Sequence, residues 1–166
     1  MPLRALVVVE SAFGNTDRIA RAVAEGLASA GVDGTVAAAS AAPDAPAAEG
    51  FGLVVVGAPT HNLGLPTPRS REQAGRRGAP VPTTGVAEWL DARPALAGVR
   101  TAAFDTVLPG RFSGSASRRI AARLRRLGAP AVAREGFLVS GTPPVLADGE
   151  LDRARAWGAA LAGAGS

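Results

Sequence analysis

Short runs of apolar, mostly β-branched residues alternate along this chain with segments in which apolar residues recur at helical spacing. Leu3–Val9 and Leu53–Gly57 are the clearest of the apolar runs. Such near-continuous runs are typical of strands covered on both faces of a parallel sheet. Three further strands are predicted at 34–40, 99–105 and 131–139.

Helices are predicted between these strands. In Thr16–Ala30, Ile19, Val23 and Leu27 repeat at every fourth position, and Gly31 follows as a C-terminal cap. Three more helices are predicted at 86–92, 118–127 and 151–162. The pattern predicts one α/β domain over 1–166, a doubly wound, five-stranded parallel sheet between two helical layers. Ligands of such sheets bind beyond the carboxyl ends of the strands.

Composition excludes several kinds of site. The chain contains no cysteine and one histidine, His61, so disulfides, thiol catalysis, iron–sulfur clusters and a multi-histidine zinc site are ruled out. No metal site is predicted. Glu10, Asp17 and Asp105 form no recognisable acid–base pair, and a Gly-x-Ser-x-Gly elbow is missing. No targeting segment or membrane span is recognisable, so a cytoplasmic location is expected.

The segment after the first strand carries the most specific signal. Small, hydroxyl and amide residues open directly into the first helix, where free backbone N–H groups and the helix dipole favour an anion. The phosphate-binding candidates are Ser11, Ala12, Phe13, Gly14, Asn15 and Thr16. The dinucleotide motif G-x-G-x-x-G is missing, and a Walker loop is excluded because the chain has no lysine. The alternative is a hydrophilic turn with an N-cap at Asn15 or Thr16.

This hexapeptide resembles the Ser/Thr-x-x-Gly-Asn-Thr phosphate loop of flavodoxins. The resemblance implies a flavodoxin-like strand order of 2-1-3-4-5 and FMN as the cofactor. It requires no catalytic side chain, because the flavin performs the redox chemistry.

The segment after the third strand is similar to a loop of flavin quinone reductases and of flavodoxin modules, where it lies against the isoalloxazine ring. Its residues are Pro59, Thr60, His61, Asn62, Leu63 and Gly64. His61 either stacks on the flavin or donates a proton near N5, or it is an exposed loop histidine without chemistry.

By the same resemblance, the segment after the fourth strand embraces the other side of the ring, with Asp105, Thr106, Arg111 and Phe112 as candidates. Arg111 is either a positive charge near N1 and O2 of the flavin or a solvated loop residue. Phe112 is either a stacking residue or a core residue. The chain has no tyrosine to sandwich the ring, and Trp89 and Trp157 are predicted to lie in the core.

Every basic residue is an arginine, and the net charge is +4, whereas single-domain flavodoxins are typically acidic. Five arginines of helix 118–127 lie opposite its apolar face and are interpreted as a solvated surface, so no nucleic-acid partner is predicted. The segment 64–84 has no period and is predicted to be a loop. Its arginines 69, 71, 76 and 77 either form a flexible basic arm that covers substrate, contacts NAD(P)H phosphate or packs on a second subunit, or reflect only disorder or solubility.

Three hypotheses follow. The first is an FMN-binding redox protein that passes electrons between a reductase or NAD(P)H and a protein or quinone-like acceptor. The second is a binding or regulatory module that keeps the fold without flavin. The third is an NAD(P)H-dependent quinone reductase, for which a homodimer or tetramer would complete the flavin pocket.

Overall fold

A computed structural model describes residues 2–164, which form one six-stranded sheet in the order β2-β1-β3-β4-β5-β6. The first five strands pair in parallel, as predicted, and β6 pairs antiparallel with β5. The strands are β1 Arg4–Val9, β2 Asp33–Ala38, β3 Leu53–Pro59, β4 Arg100–Val107, β5 Ala131–Ser140 and β6 Val145–Leu146. β6 has only two residues, so it carries no period that a sequence pattern could show.

In the described part of the chain, five α-helices cover the sheet: α1 Asn15–Ser29, α2 Pro68–Gly75, α3 Val86–Asp91, α4 Ala116–Arg126 and α5 Glu150–Gly163. Successive side chains of β1 point to opposite faces. Val7 packs in the core beneath α1 and α5, whereas Leu6 and Val8 pack in the core beneath α3 and α4. The fold is therefore the three-layer α/β/α arrangement that the strand and helix pattern predicted.

Trp89 lies in the core as predicted, whereas Trp157 is only partly buried and packs against the core. Trp89 of α3 is 3% exposed, and its indole N–H donates to the Pro43 carbonyl at 3.2 Å. Trp157 packs edge-on against Phe104 and Phe137, with ring centroids 6.1 and 6.0 Å apart. Neither indole is therefore placed to sandwich a flavin ring.

Helix α2 corrects the prediction of an unstructured loop over 64–84. Thr67 and Ser70 form a reciprocal cap, in which the Ser70 N–H donates to Thr67 Oγ1 and the Thr67 N–H donates to Ser70 Oγ. Pro68 begins the helix, a position where its missing N–H costs nothing. The prediction failed because this helix has only eight residues and no apolar stripe; Ala74 is its one buried apolar side chain.

The start of α1 shows which residue caps the helix. Gly14 is the N-cap residue, with φ of +88°, and Asn15 and Thr16 already belong to the helix. The predicted cap at Asn15 or Thr16 is therefore wrong. None of the helices within residues 2–164 is long and apolar enough to cross a bilayer.

Candidate functional site

A cavity of about 610 Å³ opens at the carboxyl ends of β1, β3, β4 and β5. Nine of the sixteen predicted site residues line it: Ala12, Phe13, Asn15, Thr16, Pro59, Thr60, His61, Asn62 and Thr106. The other seven, which do not line it, are Ser11, Gly14, Leu63, Gly64, Asp105, Arg111 and Phe112. All three predicted loops thus reach one cavity, because parallel strands end at the same edge of the sheet.

Ser11 holds the first loop in shape. Its Oγ accepts hydrogen bonds from the N–H groups of Gly14 at 3.1 Å and Asp17 at 3.3 Å. Gly14 provides the left-handed backbone that this turn requires. Because the Ser11 oxygen accepts both bonds, its own hydrogen is left for a further acceptor.

The same loop presents an unsatisfied set of donors. Within residues 2–164, the backbone N–H groups of Ala12, Phe13, Asn15 and Thr16 have no acceptor. The last two belong to the first turn of α1, which has fifteen residues. Free N–H groups at a helix N-terminus, together with the helix dipole, form a site for an anion such as phosphate.

Two side chains tie this loop to its neighbours. Asn15 Nδ2 donates to the carbonyl of Pro144 in the β5–β6 connection at 2.8 Å. The hydroxyls of Thr16 and Thr106 share a buried hydrogen bond of 2.8 Å, which joins α1 to the end of β4. The polar base of the cavity is therefore held in place by the protein itself.

A tight turn follows β3. His61 and Gly64 exchange backbone hydrogen bonds of 2.8 and 2.9 Å. Between them Asn62 and Leu63 both adopt left-handed backbone, with φ of 46° and 71°. A left-handed leucine is rare and strained. Gly114 permits the close approach of the next loop, since a β-carbon there would lie 2.3 Å from the Leu63 carbonyl oxygen.

His61 lies on the cavity wall, and its Nδ1 hydrogen-bonds with Ser70 Oγ of α2 at 3.0 Å. Burial lowers the pKa of the imidazole below its ordinary value of 6.5; nearby Glu10 opposes this shift and Arg71 adds to it. The ring is therefore neutral at pH 7, with one nitrogen protonated and the other able to accept.

Arg71 is buried, so it is not part of a flexible basic arm. Its Nε donates to Glu10 Oε2 at 2.6 Å, and its Nη2 lies 2.6 Å from Glu88 Oε1. Burial opposes the charge, but these two carboxylates raise the pKa of Arg71 above its ordinary value. The network anchors α2, and with it Ser70, against the end of β1.

In the third loop, Asp105 is buried and accepts from Ser115 Oγ at 2.9 Å and from the Ser117 N–H at 2.8 Å. It therefore supports the start of α4. Arg111 and Phe112 lie at the surface, and Phe112 is 84% exposed. The interpretation of Phe112 as a core residue is wrong, because the loop carries it away from the sheet.

Sequence reasoning missed the residues that complete the cavity wall. They are Ser70, Gln73 and Ala74 on α2, and Leu108, Val139, Gly141, Thr142, Pro143 and Pro144 on later strands and loops. Arg76 and Arg77, two of the four arginines considered for substrate or NAD(P)H contact, also line the cavity. The capping pair Thr67 and Ser70 is the one local signal that could have revealed α2. The turn at 141–144 carries no motif. It reaches the cavity because β6 pairs with β5, which no local pattern records.

The fold and cavity together define a doubly wound domain with a strand-end anion site, the class that holds mononucleotides. The sequence profile of the flavodoxin family matches residues 7–157, and the chain belongs to that family. Members of this family bind FMN and carry electrons. A sequence comparison with curated proteins finds no match.

Solved flavodoxins share the fold. An archaeal flavodoxin is 22% identical, with a TM-score of 0.65 over 97% of each chain. Flavodoxin 1 of Bacillus cereus is 18% identical, with a TM-score of 0.68 over 98% of this chain and 99% of that one. Flavodoxin 2 of the same organism is 17% identical, with a TM-score of 0.69 over 96% and 98%.

The residues present fit FMN. A volume of about 610 Å³ suits a ligand of that size. The free N–H groups of residues 12, 13, 15 and 16 match a phosphate, and Phe13, Leu108 and Pro144 give the cavity an apolar wall for a ring. The described residues hold no cluster of histidine and acidic side chains that could bind a metal ion.

Proposed function

We propose that this protein uses FMN to carry electrons between a reductase or NAD(P)H and a protein or quinone-like acceptor. The observation that carries the proposal is one cavity at the strand ends. Four backbone N–H groups without acceptors lie at its base, and its walls are largely uncharged. FMN supplies the electron-accepting ring when it is bound. No side chain of the chain needs to act as nucleophile or general acid.

Each loop has a separate task in this proposal. Residues 11–16 bind the phosphate through backbone N–H groups and the Ser11 hydroxyl. Pro59, Asn62, Thr106 and Leu108, which line the cavity, would hold the ring. His61 would add a neutral imidazole whose orientation is set by Ser70. Arg111 and Phe112 lie outside the cavity and would reach the flavin only if their loop moved.

The first experiment is an absorbance spectrum of the protein, as purified and after addition of FMN. Bands near about 370 and 450 nm that remain with the protein through gel filtration support the proposal. Failure to bind FMN at about tens of micromolar overturns it and favours a flavodoxin-fold module that does not use flavin.

A second candidate function is that of an NAD(P)H-dependent quinone reductase, and one observation supports it. Arg77 lines the cavity and has no carboxylate partner among the residues described. An unpaired arginine suits the phosphates of a dinucleotide. Oxidation of NADH and NADPH by the FMN-loaded protein with a soluble quinone, combined with the mass in solution, separates a dimeric reductase from a carrier.

A further inference from the structure

We infer that the surface around the mouth of the cavity docks a redox protein whose own contact surface is acidic with an apolar centre. The inference rests on the proposed FMN function, because that function makes the cavity mouth the place where electrons leave. Its residues, here called the mouth surface, are Leu63, Leu108, Arg111, Phe112, Arg118 and Arg119.

Charge is divided unequally along the chain. Residues 53–131 contain twelve arginines and four acidic residues, whereas the rest of the chain contains six arginines and ten acidic residues. The segment 53–131 runs from β3 to the start of β5, so it includes the two loops that end at the cavity and helix α4. Six of the twelve, at positions 69, 76, 77, 111, 118 and 119, lie in α2, just after it, in the β4–α4 loop or at the start of α4, on the side of the sheet where the cavity opens.

Three arginines of the mouth surface are exposed: Arg111, Arg118 and Arg119. None forms an ion pair within the part of the chain that the structure describes, although Arg21, Arg76, Arg123 and Arg155 all do. Arg119 lies over the β3 loop, since a β-carbon at Gly64 would be 3.7 Å from its Nε. These cations are available to carboxylates of a partner.

Apolar side chains occupy the centre of the same surface. Phe112, Leu63 and Leu108 are 84%, 58% and 53% exposed. The Ser115 N–H donates to the Leu63 carbonyl at 3.3 Å, so the two loops that carry these side chains are in contact. Interfaces between proteins are typically rich in aromatic and aliphatic residues together with arginine, which is the combination found here.

An acidic partner explains both features. A second copy of this chain would bring the same arginines face to face, and like charges oppose such a symmetric contact. A basic partner would be repelled for the same reason. Opposite charge on a partner steers it to the cavity mouth, and the apolar centre excludes water where the two redox groups approach.

The test is a titration of the ¹⁵N-labelled chain with rubredoxin, a small acidic redox protein, and with cytochrome c, a basic one. We expect rubredoxin to shift the amide signals of 61–64 and 108–119, with affinity falling about tenfold from roughly 20 to 200 mM salt. Cytochrome c should shift none of them.

Two double variants provide a matched comparison on one helix. R118S/R119S removes two charges at the start of α4, and R125S/R126S removes two exposed, unpaired charges at its end, about 10 Å away. We expect the first pair to weaken rubredoxin binding about tenfold and the second less than about twofold.

Equal effects of the two pairs, or equal binding of cytochrome c, would overturn the inference. So would a short DNA duplex that binds the mouth surface more tightly than rubredoxin, since the surface would then serve nucleic acid. Binding is measured on the protein before and after FMN loading. A protein that binds rubredoxin but not FMN contradicts only the proposed cofactor, and one that binds only FMN contradicts only the docking surface.

Discussion

Arg71 and Glu10 form a bidentate ion pair away from water, with Nε donating to Oε2 at 2.6 Å and Nη2 donating to Oε1 at 3.1 Å. The two side chains are 2% and 4% exposed. The pair fastens α2 to the end of β1 across 61 positions of sequence. Glu10 Oε1 also accepts from the Val86 N–H at 3.0 Å, which adds the start of α3 to the network.

Replacing Arg71 with methionine should lower the free energy of unfolding by about 3–5 kcal/mol, because Glu10 is left buried without its counter-ion. Urea denaturation monitored by circular dichroism measures the change. R76M removes an exposed arginine paired with Glu72 and should cost less than about 1 kcal/mol.

The double variant E10Q/R71M separates charge from packing. It removes both ionised groups, so we expect it to be more stable than R71M alone. An R71M protein as stable as the unmodified protein would contradict the assignment of this pair as the anchor of α2.

Acid should destabilise the protein through His61. Burial lowers the pKa of His61 in the folded state below the ordinary 6.5, so the unfolded chain binds this proton more readily. The free energy of unfolding therefore falls as pH decreases below about 6.5. H61Q should remove this slope between about pH 7 and 5, as measured by urea denaturation at each pH. Glu88 and Glu150, whose pKa values are lowered from 4.5 beside Arg71 and Arg153, add a slope near and below about pH 5 that is the same in both proteins. An unchanged slope in H61Q would rule out this linkage.

Helices α1 and α5 cross closely at two glycines. A β-carbon at Gly158 would lie 2.2 Å from the Val23 carbonyl oxygen, and one at Gly26 would lie 2.0 Å from the Arg155 carbonyl oxygen. G158A should therefore lower the free energy of unfolding by about 1–3 kcal/mol, although alanine is the better helix former. Thermal unfolding followed by circular dichroism would show this as a lower melting temperature. G163A adds a methyl group with no atom within 4 Å and should be neutral or stabilising. Equal changes in stability at both positions would show that helix propensity, not the packing of α1 against α5, determines the effect.

S11A should weaken FMN binding about tenfold, since it removes a hydroxyl that holds the loop and has a hydrogen to donate to phosphate. Riboflavin, which lacks the phosphate, should bind equally to the variant and the unmodified protein. Fluorescence quenching of each flavin measures both affinities. S29A changes an exposed serine at the opposite end of α1 and serves as control. An equal loss of affinity for FMN and riboflavin would contradict a contact between Ser11 and the phosphate.

Local patterns predicted the elements that bury apolar residues in a regular period. The buried residues Ile19, Val23 and Leu27 of α1 and Ile120 and Leu124 of α4 are those that the helical spacing indicated. The five parallel strands followed from apolar runs in the same way. Helix α2 was missed because its place depends on Arg71, a buried charge that no hydrophobic period indicates.

The sequence by itself determined the strand and helix pattern, the strand-end loops and the phosphate motif, because each depends on residues close together in the chain. Only the tertiary structure decided that Asn15 bonds to Pro144, that Arg71 is buried against Glu10, and that Phe112 is exposed. These contacts join segments separated by up to 129 positions. Their partners are chosen by the packing of the sheet and helices, so no local pattern records them.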